Sequence, residues 1–556
     1  RAGVAQLRER MKRVMRNRRI DIRTYHSLAY EILRSHAGEE PLWIKPGFEV
    51  EPTETLMGRI RQTLDSLQDG LDPRERVALY SKAMQKLQSL RNPPRPGKVD
   101  DSLRLEIDGK TISGVHLNKV YKSYVNLMKH INAIDYSFMI SSTVDLLRAR
   151  PEVLRDYERR VAYLVIDEYQ DTTPIQDELL SLLSSWYGNL CVVGDSDQTI
   201  FAWSNADVKN ILEFAERHQE VKQVNLEVNY RSTQNILDAA NETIIHNRER
   251  IPKRLTAHRK MKGPHVVVHY ADDADDLGAN YILEQIKKMI SDGAKPESIV
   301  VLTKTNDQLS RLMVSMQTAG IRVKTPEEQV SVTRNPRVQQ VLNAMEKLAE
   351  VSPNLSAYSC YAETIASSDI RDVPQAFADM IREFDTNSED NTGLAFLNFV
   401  RATTALDSQV DAERGAVNLM TIHKAKGLEF DVVFLTYLRR GSFPRFDINI
   451  EEERRVFYVG LTRARDYLHV ICSSSRPSKF VGEIEAARSS IQFSGRRPYQ
   501  PEQKLTSQAP YRPPRRALGR GQGRQNRSSE RDFSRVPNDE RRRELRRLAE
   551  RGSDSA

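Results

Sequence analysis

At 556 residues, with 39% hydrophobic and 29% charged residues, the chain is too long for one core and has the composition of a soluble multidomain protein with some disordered sequence. No run of about 18 uncharged apolar residues occurs, which excludes a membrane-spanning helix. Three widely spaced cysteines (Cys191, Cys360, Cys472) exclude a disulfide framework or a four-cysteine metal site, and read as reduced thiols of a cytoplasmic protein.

The net charge of +8 is unevenly placed. Residues 496–556 carry 17 Arg and Lys against 8 Asp and Glu, a net of +9, so the remainder sums to −1. A basic tail of this kind suits a polyanion or protein partner, while the body is balanced. Residue 1 is Arg rather than Met, and the first thirty residues are basic without a signal peptide's apolar centre, so a beginning upstream is expected.

In chain order, residues 1–36 read as helix, a short strand (Ile20–Arg23), then helix from Ser27. Residues 37–160 are mostly helical and polar, broken at the proline-rich Arg91–Lys98. Gly109-Lys110-Thr111 imitates the end of a phosphate loop. However, GxxxxGKT needs glycine at 104, where Arg104 stands, and no apolar strand leads into it.

From Val161 short apolar strands alternate with helices: Val161–Ile166, Leu190–Val193, Val266–His269, Ile299–Leu302, Val417–Thr421, Asp431–Leu435 and Tyr467–Cys472. Continuous apolar runs spaced by helices predict an α/β fold of parallel sheets covered on both faces, with ligands at the loops after the strands. Residues 326–412 interrupt the alternation with helical, acidic sequence. After about 483 the chain is rich in Arg, Gln, Ser, Pro and Gly and is expected to be disordered.

The chemistry-bearing residues stand in those loops. Asp167-Glu168 ends a strand, where one carboxylate can hold Mg²⁺ on ATP phosphates and its neighbour can polarise water. The other reading is a helix N-cap with an acidic first turn. Gln198, in GDSDQ, can bond a terminal phosphate. Phe201 and Trp203 follow, suited either to base stacking, worth about 1–3 kcal/mol per base, or to core packing. Tyr230-Arg231 offers a ring for adenine and a cation for transferring phosphate. His423-Lys424-Ala425-Lys426-Gly427 offers phosphate contacts, Glu429 a ribose contact, and Arg463 a second neutralising guanidinium.

The ordered set TYHS (24–27), VIDEYQD (165–171), VVGDSDQTIFAW (192–203), NYRS (229–232), TIHKAKGLEF (421–430) and EEERRVFYVGLTRAR (451–465) resembles the UvrD/Rep/PcrA family of DNA helicases over residues 1 to about 482. The opening RAGVAQLRERM resembles the segment just after that family's Walker A helix. The resemblance implies two RecA-like domains with ATP in their cleft and single-stranded DNA, with its junctions to duplex, across the top. Asp167 matches the Mg²⁺ ligand, Glu168 the water-activating base and Gln198 the phosphate sensor. Arg231 and Arg463 match arginine fingers, Tyr230 the adenine stack and Glu429 the ribose contact. Trp203 matches the base-stacking residue, with Phe201 beside it, while Thr24, His26 and His423 match DNA-contacting or coupling positions. The implied activity is ATP-driven 3′→5′ movement on DNA, without a membrane.

On this reading residues 1–27 and 155–215 form the first RecA-like domain and 28–154 its helical insertion. Residues 216–325 and 413–482 form the second, 326–412 a reduced insertion and 483–556 a disordered basic tail. The chain departs from the family pattern in lacking the GxxGxGKT loop, in Ser204-Asn205 where an arginine–glycine pair is usual, and in the short second insertion. The competing reading is a non-catalytic DNA-binding relative serving as scaffold or regulator. On the first reading, residues 1–556 without the phosphate loop are expected to be inactive.

Overall fold

A computed structural model describes residues 20–495, apart from 202–204, 219, 260, 273–277, 326–331, 334, 371–372, 389, 408–414 and 446–448. The expected strand at Ile20–Arg23 does not form. Thr24 instead caps helix α1 (Tyr25–Ser35), its hydroxyl accepting the Ser27 N–H at 3.2 Å while Ser27 Oγ accepts the Thr24 N–H at 3.1 Å. This reciprocal pairing satisfies two of the donors a helix start leaves open.

Residues 37–160 are helical as expected, chiefly α2 (Thr53–Arg59), α3 (Gly114–Ile131) and α4 (Tyr136–Ala149). The glycine–lysine–threonine imitation lies in a hairpin of Arg104–Ile107 with Lys110–Ser113. Its two turn residues, Asp108 (φ 51°) and Gly109 (φ 73°), occupy the left-handed region that a two-residue hairpin requires. Lys110 pairs with Glu75, so no phosphate cradle forms here.

The first lobe holds two parallel strands, β1 (Leu164–Ile166) and β2 (Leu190–Val192), with Leu164 opposite Leu190. They are joined through α5 (Pro174–Ser184), which Thr173 and Gln176 cap reciprocally. Covering on both faces was expected. Among the described residues one face is open instead, with Tyr163 79% and Val165 67% exposed.

The second lobe is built around seven parallel strands, introduced here with the helices between them. They are α6 (Gln234–Ile244), β3 (Val266–Ala271), α7 (Ala279–Ser291), β4 (Ile299–Thr303), α8 (Asn306–Thr318), β5 (Val323–Lys324), β6 (Val417–Thr421), β7 (Phe430–Leu438), α13 (Ile450–Leu461), β8 (Ala464–Ser473) and β9 (Ile491–Gly495). The order across the sheet is β5-β6-β4-β7-β8-β3-β9. Every residue of β4 and β6 is buried, which is why their sequences are largely apolar without alternation; buried Asn418 of β6 spends its amide on the Glu297 and Ile299 carbonyls (2.8 and 3.0 Å). The last strand corrects an expectation: order was predicted to end near 483, yet Ile491 pairs with Val266 and Gly495 with Tyr270. Phe480, Val481 and Ile484 are buried just before it.

Residues 335–407 add α9 (Pro336–Val351), α10 (Ala357–Ala366), α11 (Gln375–Asn387) and α12 (Gly393–Asp407). These helices pack on those of residues 37–160 rather than standing apart. Gly58 on α2 meets α10 so closely that a Cβ there would lie 2.7 Å from Ala366 Cα. Fully buried Glu54 accepts hydrogen bonds from Tyr358 and Arg382, Lys82 bridges Asp108 (2.7 Å) and Asp385 (3.2 Å), and Arg61 reaches Glu363 at 2.9 Å. No described helix is long and apolar enough to cross a membrane.

His469 on β8 lies against Phe434, with ring centroids 4.6 Å apart, and its Nδ1 is 2.9 Å from the Tyr281 hydroxyl. Burial, reinforced by neighbouring His269, pushes its pKa down to about 4. A folded pKa below the unfolded one disfavours protonation of the folded protein. This contribution is therefore complete above pH 6.5 and is lost as the pH falls toward 4. His469→Gln should remove on the order of 2–3 kcal/mol of acid sensitivity, read as the difference in urea unfolding between pH 7 and 4.5. An unchanged pH dependence would show that the imidazole titrates normally in the fold.

Candidate functional site

The acidic loop follows β1 directly. Glu168 takes a left-handed backbone (φ 51°), an arrangement costing about 1–3 kcal/mol for a non-glycine residue, which turns the chain sharply after Asp167. Both carboxylates are exposed; Asp167 Oδ1 accepts the Glu168 N–H at 3.0 Å, and Glu168 Oε2 accepts from Gln170 Nε2 at 2.5 Å. Gln170 Oε1 accepts the Asp195 N–H at 2.9 Å, tying this loop to the one after β2. Gly194 is required there, because a Cβ would lie 2.6 Å from that oxygen.

In the second loop Asp197 is 0% exposed and held by a two-point contact from Arg250 (2.9 and 2.8 Å) and by Lys253 (2.7 Å). Gln198 donates its amide to Asp195 Oδ2 at 2.8 Å, and its Oε1 receives Arg463 Nη2 at 3.4 Å from the second lobe. Arg463 is buried, anchored on the Val459 carbonyl (3.0 Å) and the Leu428 carbonyl (3.2 Å). Burial, with repulsion from Arg231, pulls its pKa down to about 10, so it stays charged at neutral pH.

A recess of about 380 Å³ opens beside it, lined by Val228, Asn229, Tyr230, Arg231, Glu429 and Arg465. The Tyr230 ring is 72% exposed and has one neighbour stacked on it, His258, at 4.5 Å. Arg231 Nε binds Glu429 Oε2 at 2.7 Å and its Nη1 reaches the Thr462 carbonyl at 3.2 Å. Lys426 crosses to the first lobe: its Nζ lies 2.5 Å from Asp171 Oδ2, 2.8 Å from the Gln198 carbonyl, 3.7 Å from Glu168 and 5.0 Å from the Phe201 ring centre. Burial raises the Asp171 carboxyl to about 6, with Lys426 opposing and Glu168 adding to the rise.

Acidic, amide and cationic groups from two lobes thus meet in one cleft, an arrangement able to hold and neutralise a polyphosphate. The model of the UvrD/REP helicase N-terminal domain matches residues 1–219, and that of the UvrD-like helicase C-terminal domain matches 224–349 and 336–475. The chain belongs to the UvrD/REP helicase family. Similar proteins include the ATP-dependent DNA helicase PcrA of Leuconostoc citreum, 30% identical over 88% of this chain and 78% of that one. PcrA of Bacillus subtilis (strain 168) is 28% identical over 83% and 75%, and that of a Staphylococcus epidermidis strain 30% identical over 66% and 64%.

In this UvrD/REP family member, the cleft brings together Glu168, Gln198, Arg231, Glu429 and Arg463, with Tyr230 at the rim and Asp167 beside Glu168. Phe201 and His423 are neighbours, their rings 6.2 Å apart. His423 is buried, its Nδ1 has no hydrogen-bond partner, and burial pushes its pKa down to about 4, so it is neutral at pH 7. Thr24 and His26 belong to α1, Thr24 as its exposed cap and His26 packed edge-on against Tyr136 at 5.6 Å. Trp203, Ser204 and the tail 496–556 lie outside the described residues.

Sequence reasoning missed Arg250 and Lys253. Their stretch, Arg248–Arg254, has no motif and no regular structure to mark it, and only its charge density could have drawn attention.

Proposed function

We propose that this chain works as the motor of an ATP-dependent DNA translocase or helicase moving 3′→5′ on single-stranded DNA. The reading is carried by Arg463 of the second lobe meeting Gln198 of the first at 3.4 Å, with Arg231 and Glu429 adjacent. Groups on both lobes that recognise the same phosphate would make lobe closure depend on nucleotide, which is how hydrolysis can be converted into movement.

In this scheme Tyr230 stacks the adenine and Glu429 takes the ribose, which frees Arg231 from its present ion pair to face phosphate. Arg463 and Arg231 neutralise developing charge, Glu168 orients the attacking water, and Gln198 senses the terminal phosphate. Among the described residues no three His, Cys, Asp or Glu gather as a metal cage. Mg²⁺ on a nucleotide needs only one or two carboxylates beside the phosphates, so the exposed Asp167 fits. When held there by Asp167, the ion would offset the charge of the phosphates.

The first RecA-like domain would comprise residues 1–27 and 155–215, and the second 216–325 and 413–482, extended to Gly495 by β9. The insertions 28–154 and 326–412 lie between. Phe201, Trp203, Thr24, His26 and His423 would line or couple to the DNA path, and the tail 496–556 would add polyanion or protein contacts.

The test is binding of a labelled single-stranded oligonucleotide to the chain. Trp203→Ala should weaken it by about 1–3 kcal/mol without lowering the melting temperature. A chain that does not bind single strands would overturn the reading; loss of stability and affinity together would place Trp203 in the core.

A further inference from the structure

The stretch 247–254 forms a strap between the lobes. On the second lobe it is held by α13, through Asn247 Nδ2 on the Glu451 carbonyl (2.9 Å), Arg454 on Asn247 Oδ1 (2.5 Å) and Arg455 on the Glu249 carbonyl (2.7 Å). Its other side grips the loop after β2. Ile251 N–H donates to Ser196 Oγ at 3.0 Å, Arg250 forks onto Asp197, and Lys253 Nζ sits 2.5 Å from Asp195 Oδ1 and 2.7 Å from Asp197 Oδ2.

We propose that Lys253 is a positioning residue for Gln198, acting through Asp195. Asp195 Oδ1 receives the lysine and the Asp197 N–H (2.9 Å), and Oδ2 receives the Gln198 side-chain amide at 2.8 Å, which leaves Gln198 Oε1 facing Arg463. Lys253 and Arg250 pair directly with the two carboxylates, and Arg463 and Arg455 act on them from farther off. Without Lys253, Asp195 would lose its ion-pair partner while Asp197 kept Arg250, and the like charges of the two carboxylates would push apart.

Arg250 has the complementary task of pinning the turn through Asp197, which Lys253 also touches. Because the strap belongs to the second lobe, a shift of that lobe reaches the Gln198 side chain through the chain Lys253–Asp195–Gln198 as well as through Arg463. The glutamine is thereby gripped from two directions by one lobe. The inference rests on the reading of Gln198 as a phosphate sensor, and names what holds that sensor in place.

Two measurements test it. In the natural protein, Lys253→Met should lower kcat for DNA-stimulated ATP hydrolysis by about 10- to 100-fold, as misplacing a reacting geometry does. KM for ATP should stay within about twofold, and Lys253→Arg, which can still bridge both carboxylates, should recover most of the rate. An equal fall in kcat and melting temperature, or no change in either, would show an anchor with no positioning role. The second measurement is a crystal structure of the Lys253→Met chain, in which the Gln198 amide should leave Asp195. If Gln198 stays between Asp195 and Arg463, the proposal is wrong whatever the kinetics. A wild-type polypeptide that hydrolyses no ATP would remove the functional reading, and the crystal structure would still decide the positioning.

Discussion

Residues 1–556 alone should hydrolyse ATP at no measurable rate, with or without DNA. Phosphates need a cradle of backbone N–H groups and a lysine. The nearest imitation in the sequence, Gly109-Lys110-Thr111, is a hairpin whose lysine is engaged by Glu75. Arg231, Arg463 and Glu168 would act on a nucleotide whose phosphates no backbone cradle among the described residues holds in line. Since positioning and electrostatics supply nearly all phosphoryl-transfer catalysis, the loss should amount to many orders of magnitude. Where the natural polypeptide supplies the loop, DNA-stimulated hydrolysis should appear, and Glu168→Gln should abolish it while single-strand binding persists. The measurement is phosphate release at saturating ATP. Robust turnover by residues 1–556 would contradict this account of the cleft. An inert full polypeptide would favour a scaffold that binds DNA without catalysis.

Arg382→Ala should destabilise the packed insertions by about 3–5 kcal/mol, the usual cost of leaving a buried charge without its partner. Glu54 is fully buried, and its Oε1 accepts from Arg382 and Tyr358 while Oε2 has no partner. Burial alone would raise the Glu54 pKa. Burial is the largest single effect, but the Arg382 charge together with the hydrogen bonds from Tyr358, the Glu54 backbone and Arg382 outweighs it and holds the carboxyl below its ordinary value. Its contribution is therefore present above the ordinary glutamate pKa and lost as the pH falls below it. In Arg382→Ala that balance reverses, so the variant should be relatively less impaired in acid. Combining Arg382→Met with Glu54→Leu should recover much of the loss, since apolar groups of similar size can replace a buried pair. Urea unfolding at pH 7 and at pH 4.5 measures both effects. A loss below about 1 kcal/mol for Arg382→Ala would mean that the insertions are held by their apolar contacts alone.

What the sequence determined by itself was local. Runs such as Ile299–Leu302 are apolar at every position, and Val417–Thr421 is buried at every position with only Asn418 and Thr421 polar, because both faces are covered; a run of that kind shows without knowledge of its neighbours. The loops after such runs were legible for the same reason, and so was the false phosphate loop, since Arg104 stands where a glycine is needed. The tertiary structure alone decided matters that depend on partners far away in the chain. Ile491–Gly495 looked like the start of a disordered tail because its few apolar residues sit among charges. It is a strand only because β3, more than 200 residues earlier, offers it an edge. The joining of the two insertions through Glu54, Tyr358 and Arg382 likewise has no local signature. His423 reads as a polar residue in a basic loop, and burial makes it neutral. Arg250 and Lys253 read as surface charge until Asp195 and Asp197 are placed beneath them. Hydrophobic pattern is a property of a segment, whereas strand order, ion-pair partners and desolvation are properties of pairs, and pairs form only when the chain folds back on itself.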